Sequence, residues 1–262
     1  MRTDRDNSQD YSKMENKYCE DDIITCYRSD LNQLMRADAF LDMAQQIAVK
    51  GAEHLNFGRD RMLEFGCAWV LARMQVKFEK KVYFDEKIRM STWHKGINGL
   101  YFIRDYRLET PAGTAVNSTS SWIVMNLESR KICRDDEIMR IVPADSQCDD
   151  VAIEANAPRI VFPRGVVPEE IGSHCVKYSD LDYNGHVNNV KYTAWVLDSL
   201  PQDLVCGHFL REVSINFNKE ARRGDTVTLL HTEADGSHIV EGRCGEHQMF
   251  IEKLSFDPEP LA

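Results

Sequence analysis

Three residues in the second half of the chain have the types and spacing to handle protons or hydrogen bonds. They are Asp182, Asn184 and His186, in the run Ser179-Asp-Leu-Asp-Tyr-Asn-Gly-His-Val-Asn-Asn-Val-Lys-Tyr192. Spacing of two puts side chains on one face of an extended backbone, so a carboxylate, an amide and an imidazole are expected side by side. After Gly185 the apolar period changes. Val187, Val190, Ala194 and Leu197, with Trp195 beside them, predict one buried helix face. A helix start carries free N–H groups that favour developing negative charge, and those of Gly185 to Asn188 are the candidates for holding an oxyanion. Asn188 and Asn189 read as caps.

The elements that must position this run are legible from periodicity. Residues 1–20 are polar and turn-prone, and read as a flexible tail. Asp22 to Arg28 suits a short strand. A helix is expected from about Ala37, with Asp38 as N-cap and Phe40, Met43, Ala44, Ile47 and Gly51 on its buried face. Trp69 to Phe84 alternates Met74, Val76 and Phe78 with polar neighbours, a period of two. Ile88–Trp93, Leu100–Leu108 and Thr114–Asn126 follow as further strands, divided by Gly-containing turns. Residues 135–168 are acidic and punctuated by proline, a surface connector.

The second half repeats the first. Ser29–Arg36 aligns with Ser179–His186 at an offset of 150, and Val76–Val82 with Ile215–Ala221 at an offset of 139. In that register Asp182, Asn184 and His186 face Asn32, Leu34 and Arg36, and Glu220 faces Lys81. The expected division is a tail (1–20), an N-terminal non-catalytic, substrate-binding unit (21–134), a connector (135–168) and a C-terminal catalytic unit (169–262).

A net charge of -10 argues against wholesale nucleic-acid binding. No run of about 18 apolar residues is present, so no membrane insertion is expected. The first twenty residues have no apolar core of the kind a signal peptide needs. The eight cysteines lack paired spacing, which fits reduced thiols in a cytoplasmic protein. His238, Cys244 and His247 do not have four-ligand zinc spacing, and neither a Gly-x-Ser-x-Gly motif nor a Gly-rich phosphate loop occurs. No metal and no cofactor are expected.

The runs SDLDYNGHVNNVKYTAWVLDSLP (179–201) and VSINFNKEARRGDTVTLL (213–230) resemble the acyl-acyl carrier protein (ACP) thioesterases of plant plastids and bacteria. WVLARMQVKFEKKVYFDEKIRMSTW (69–93) and SSWIVMNLESRKI (120–132) extend the likeness. The resemblance implies an α+β tandem hot-dog fold, each half an antiparallel sheet wrapped around a central helix. It implies hydrolysis of fatty acyl-ACP by a set carried over as Asp182, Asn184, His186 and Glu220. Plant members usually have a cysteine directly after that glutamate. Here the position is Ala221, which favours attack by water. In this reading Glu220, relayed with His186, activates the water, Asn184 orients it or the carbonyl, and Asp182 fixes the geometry.

Strict alternation would point Glu220 away from the Ile215–Phe217 face, so a bulge near Ala221–Gly224 is needed. Candidates to line the acyl cavity are Phe40, Met43, Ile47, Leu55, Phe57, Met62, Trp69 and Met74. Arg211, Lys219, Arg222 and Arg223 are candidates to meet the acidic carrier protein. A hot-dog acyl-CoA thioesterase and a non-catalytic acyl-binding regulator are the rival readings. Homodimerisation, chain length and saturation preference stay open.

Overall fold

The computed structural model describes residues 16–133 and 141–261. Its first strand, β1 (Lys17–Ile23), begins inside the stretch read as a tail and overlaps the expected Asp22–Arg28 strand only at Asp22 and Ile23; the end of that stretch, Cys26–Arg28, is a 3-10 turn instead. This polar heptad pairs antiparallel with β3 (Lys87–Asn98), from Lys17 opposite Trp93 to Ile23 opposite Lys87. An edge strand needs little apolar surface of its own, which is why composition alone hid it. Residues 1–15 of the expected tail lie outside the described residues.

A 3-10 turn at Cys26–Arg28 leads to α1 (Ala37–His54). Phe40, Met43, Ala44, Ile47 and Gly51 are all buried on it, as their spacing predicts. Gly51 is required by proximity: a Cβ there would lie 2.8 Å from Thr92 Cγ2 and 2.9 Å from Arg104 Nη1. Arg36, not Asp38, is the N-cap. Asp38 sits in the first turn, paired with Arg36 at 2.7 Å, where its charge still complements the helix dipole. After α2 (Arg59–Glu64) come β2 (Cys67–Phe78), β3, β4 (Tyr101–Thr110) and β5 (Gly113–Asn126). Met74, Val76 and Phe78 point into the core in the expected period.

The second half runs through β6 (Glu169–Cys175), a 3-10 turn at Tyr178–Asp180, α3 (Asn189–Ser199), α4 (Gln202–Gly207), and β7 (His208–Phe217). It ends with β8 (Thr226–Ala234), β9 (Ser237–Cys244) and β10 (His247–Pro260). Among the described residues the ten strands form one sheet in the order β1-β3-β4-β5-β2-β7-β10-β9-β8-β6. Read from the middle outwards, each half has the same order. The halves join where β2 pairs antiparallel with β7, Arg73 opposite Asn216 to Lys77 opposite Glu212. One hydrophobic core runs through both helices and both halves, from Ile24 and Phe40 to Trp195, Phe250 and Leu254.

The described part of the connector (141–168) starts on the helix side, where Ile141 and Val142 join the cluster of Ala52, Phe57 and Met62, bridges the edge of β3 with Gln147 beside His94, and then crosses the sheet face away from the helices. Cys148 N–H donates to His94 O at 2.8 Å, and Ala152 N–H to the buried Asp105 Oδ2 at 2.8 Å. Asp150 is gripped by Lys17 and Arg107, which hold its carboxyl down at about 2 against the opposing effect of partial burial. Asn216 on β7 then takes both sides of the strap, accepting from Ile160 N–H and donating to Pro158 O, each at 2.8 Å.

Candidate active site

Asp182, Asn184 and His186 do not lie along a strand. Residues 182–186 form a closed turn: Asp182 N–H donates to His186 O at 2.8 Å and Gly185 N–H to Asp182 O at 3.1 Å. Inside it, Asp182 Oδ1 accepts from the N–H groups of Asn184 (2.8 Å) and His186 (3.2 Å), while Oδ2 accepts from the Asn184 amide at 3.2 Å. Short polar side chains commonly close turns in this way.

The first half builds the same turn from Asp30. Asp30 Oδ1 accepts from Asn32 N–H (2.8 Å) and Leu34 N–H (2.9 Å), and Asp30 N–H donates to Leu34 O (2.8 Å). Gln33 and Gly185 occupy matching left-handed positions, with φ of 62° and 76°. The structural offset is therefore 152, not 150. The Ser-Asp-Leu triplet shared by both segments suggested the wrong register: Asp180 has a different task, accepting from Lys177 N–H and facing His174 Nε2. In the correct register Asp182 and Asn184 match Asp30 and Asn32. Only His186 is replaced, by Leu34.

The offset of 139 holds for the strand. Asn218 and Lys219 N–H groups both turn to Met249 O, as Glu79 and Lys80 both turn to Ala115 O. The chain leaves the sheet at this irregularity, slightly earlier than expected, and Glu220 is re-aimed towards the turn. His186 Nε2 and Glu220 Oε2 are 3.2 Å apart, with the histidine largely covered and the carboxylate half-exposed. Arg130, on the hairpin that follows β5, reaches in from the first half to within 3.6 Å of Glu220 Oε2. Its contact pairs residues 90 apart in the chain, and only its place in the likeness at 120–132 marks it in the sequence.

A packed series fixes the end of β7. Phe250 stacks on Tyr192 at 4.7 Å, and Tyr192 Oη accepts from Ala221 N–H at 3.2 Å. Burial pushes the Tyr192 hydroxyl up to about 12, so it stays protonated. Phe250 can lie flat because Gly242 faces it, a Cβ at 242 falling 2.0 Å from its ring. Ala221 is fully buried in the main core.

Two expectations change at the helix start. All four N–H groups from Gly185 to Asn188 are taken, the last two by Ala221 O and Asp180 O, so they cannot also hold an oxyanion. Asn188 does cap α3, accepting from Val190 N–H at 3.1 Å. The deepest residues of α3 are Tyr192, Thr193, Trp195 and Val196, with Val190, Ala194 and Leu197 half-buried. α3 lies against α1 as well as the sheet, which widens its covered arc beyond one stripe.

Of the apolar candidates, Phe40, Met43, Ile47 and Met74 belong to the main core. Leu55, Phe57, Met62 and Trp69 form a smaller cluster with Phe102 and Trp122 near the start of β2. Arg211 is engaged by Asp257 and the Glu79 carbonyl, leaving Lys219, Arg222 and Arg223 exposed around Glu220. Among the described residues the nearest approach to a metal-ligand set is His231, Glu233 and His238. His231 Nε2 and His238 Nδ1 are 3.1 Å apart with ring centroids at 5.3 Å, so the nitrogens point at each other as in an N–H···N bond rather than at a common ion.

Residues 15–142 match the profile of the acyl-ACP thioesterase N-terminal domain, and residues 168–253 that of the acyl-ACP thioesterase C-terminal domain. The chain belongs to the acyl-ACP thioesterase family. It is 26% identical over 243 residues to oleoyl-acyl carrier protein thioesterase 2 of Arabidopsis thaliana, covering 87% of this chain and 66% of that one. Against the palmitoyl-acyl carrier protein thioesterase of Gossypium hirsutum, identity is 26% over 226 residues, 82% of this chain and 54% of that one. The chain thus spans less than two thirds of these curated relatives. Among solved structures, an acyl-ACP thioesterase from Bacteroides thetaiotaomicron superposes with a TM-score of 0.83 at 22% identity, over 94% of this chain and 99% of that one. The 12:0-ACP thioesterase of Umbellularia californica gives 0.85 at 19%, over 94% and 98%. The tandem hot-dog fold expected for the family is the fold observed.

Proposed function

We propose that the protein hydrolyses the thioester of fatty acyl-ACP, with water as nucleophile. The observation that carries this is the His186–Glu220 pair, 3.2 Å apart in one half, where the otherwise matching turn of the other half has Leu34 and Lys81. Glu220, with His186, takes a proton from water as its oxygen adds to the thioester carbonyl. The tetrahedral oxyanion collapses, the C–S bond breaks, and the pair returns the proton to the thiolate. With the helix-start N–H groups occupied, the second N–H of the Asn184 amide and the Arg130 guanidinium are the donors we assign to the oxyanion. Asp182 holds the turn. The smaller apolar cluster beside the start of β2 receives the acyl chain, and Lys219, Arg222 and Arg223 face the acidic carrier protein.

Burial of position 221 supports the water route, since even a cysteine there would point into the core. Among the described residues no helix is long and apolar enough to cross a membrane, and we assign the activity to the cytoplasm. Fatty-acid release from a panel of acyl-ACPs, with His186→Ala as control, tests the proposal. Release that is equally fast from matched acyl-CoA would move the substrate assignment to CoA. Binding without release from either carrier would leave an acyl-binding protein instead.

A further inference from the structure

The seam between the halves carries a cleft with cationic groups that the proposed hydrolysis does not use. On the sheet face under the strap, a cavity of about 410 Å³ is lined by Arg73, Tyr101, Arg159, Asn216, Asn218 and Gln248, with apolar residues between them and no carboxylate in its wall. In a chain with 42 acidic and 32 basic side chains, that exclusion is informative. Arg73 donates to Tyr101 Oη at 3.2 Å and lies over the Tyr101 ring at 5.1 Å, so its guanidinium is oriented. Arg159 is brought to the cleft by Asn216, which clamps the strap on both sides of it. Among the described residues neither arginine has an ion-pair partner.

One oriented guanidinium, Arg73, with the exposed Arg159 guanidinium at the rim and no acid in the wall, forms a receptor for an oxyanion with several acceptor oxygens, phosphate above all; the Asn216 and Asn218 amides each already donate once, to Pro158 O and Gln248 Oε1. The cleft also lies near the dyad. Asn218 is two residues before Glu220, so about 7 Å of backbone at most separates them.

We propose that this cleft binds the phosphate of a pantetheine-type thioester, with Arg73 and Arg159 as its ligands. The inference rests on the thioesterase reading for its choice of phosphate, and it adds the subsite that anchors the arm while the thioester meets His186 and Glu220. The shared chemistry is an organic phosphate ester, found in the carrier protein's arm and in CoA.

The test is direct binding to the full chain, by calorimetry, of 4′-phosphopantetheine and of pantetheine. The phosphorylated compound is expected to bind about tenfold or more tightly. Arg159→Gln, at an exposed position, reduces that advantage. Arg73→Gln/Arg159→Gln abolishes it and leaves pantetheine binding unchanged. Equal affinities in the wild type, or an advantage that survives in the double variant, overturns the assignment. CoA against 3′-dephospho-CoA separates the sources: equal binding assigns the site to the arm, whereas a preference for CoA that the double variant loses assigns it to the nucleotide phosphate. If no acyl substrate is turned over, the thioesterase reading fails, and the phosphate-dependent binding still decides the cleft.

Discussion

His186 and Glu220 are the side chains at which two matching turns diverge, while Asp182 and Asn184 share their backbone duties with Asp30 and Asn32. In the proposed mechanism this separates chemistry from scaffolding. Glu220→Gln and His186→Ala are each expected to lower kcat by about 10²- to 10⁴-fold with thermal stability nearly intact. Asp30→Ala and Asp182→Ala should each cost about 1–2 kcal/mol of stability through lost turn bonds, but only Asp182→Ala should depress kcat. Paired unfolding and rate measurements check this, and an equal kcat loss from Asp30→Ala would refute the division.

A second residue-scale consequence concerns Glu252, fully buried on β10. Its Oε1 accepts from Thr193 on α3 at 2.8 Å, and among the described residues its Oε2 has no hydrogen-bond partner. Burial raises its carboxyl to about 8, so the folded state holds a proton that the unfolded chain gives up at the ordinary carboxylate pKa. The native form then binds more protons between about pH 4.5 and 8, and its stability falls across that window as pH rises. The loss is on the order of a few kcal/mol. Chemical denaturation at successive pH values should show that slope, and Glu252→Gln should flatten it.

At the scale of elements, Gly242, Phe250, Tyr192 and Ala221 form one packed series ending beside Glu220. Tyr192→Phe leaves the buried Ala221 N–H without its acceptor, at a cost of about 1–3 kcal/mol, and should reduce kcat by loosening the end of β7. Gly242→Ala forces Phe250 off the sheet and should destabilise by about 1–3 kcal/mol or more. Melting curves and rates on the same samples test both, and unchanged kcat in Tyr192→Phe would uncouple the series from the site. Strands β2 to β5 and α1 were legible in the sequence because period two and the 3.6-residue stripe are written in apolar residues, whereas the polar β1 was not. The turns were not. Their geometry comes from side chains bonding to backbone, so a shared Ser-Asp-Leu triplet outweighed the register that matters. The re-aiming of Glu220 could be required from alternation, but its location at Asn218–Lys219 depends on a carbonyl 30 residues away. Arg130 comes from the other half altogether.

At the scale of the molecule, the core is continuous across both halves and the sheet is unbroken at the β2–β7 junction. Neither half can be removed without opening that core. Unfolding should therefore be one cooperative transition, with calorimetric and van't Hoff enthalpies in agreement. A ratio near two, or a folded and soluble 169–262 fragment, would contradict this.

The matched turns also bear on symmetry. Two identical subunits placed like these halves would have to present the same residues at both mouths, because a twofold axis copies every substitution. A single chain is free of that constraint. Leucine can stand at 34 while histidine stands at 186, and lysine at 81 while glutamate stands at 220. One mouth can then change under mutation while the other is held constant, so the two ends of the same architecture can answer to different selective demands.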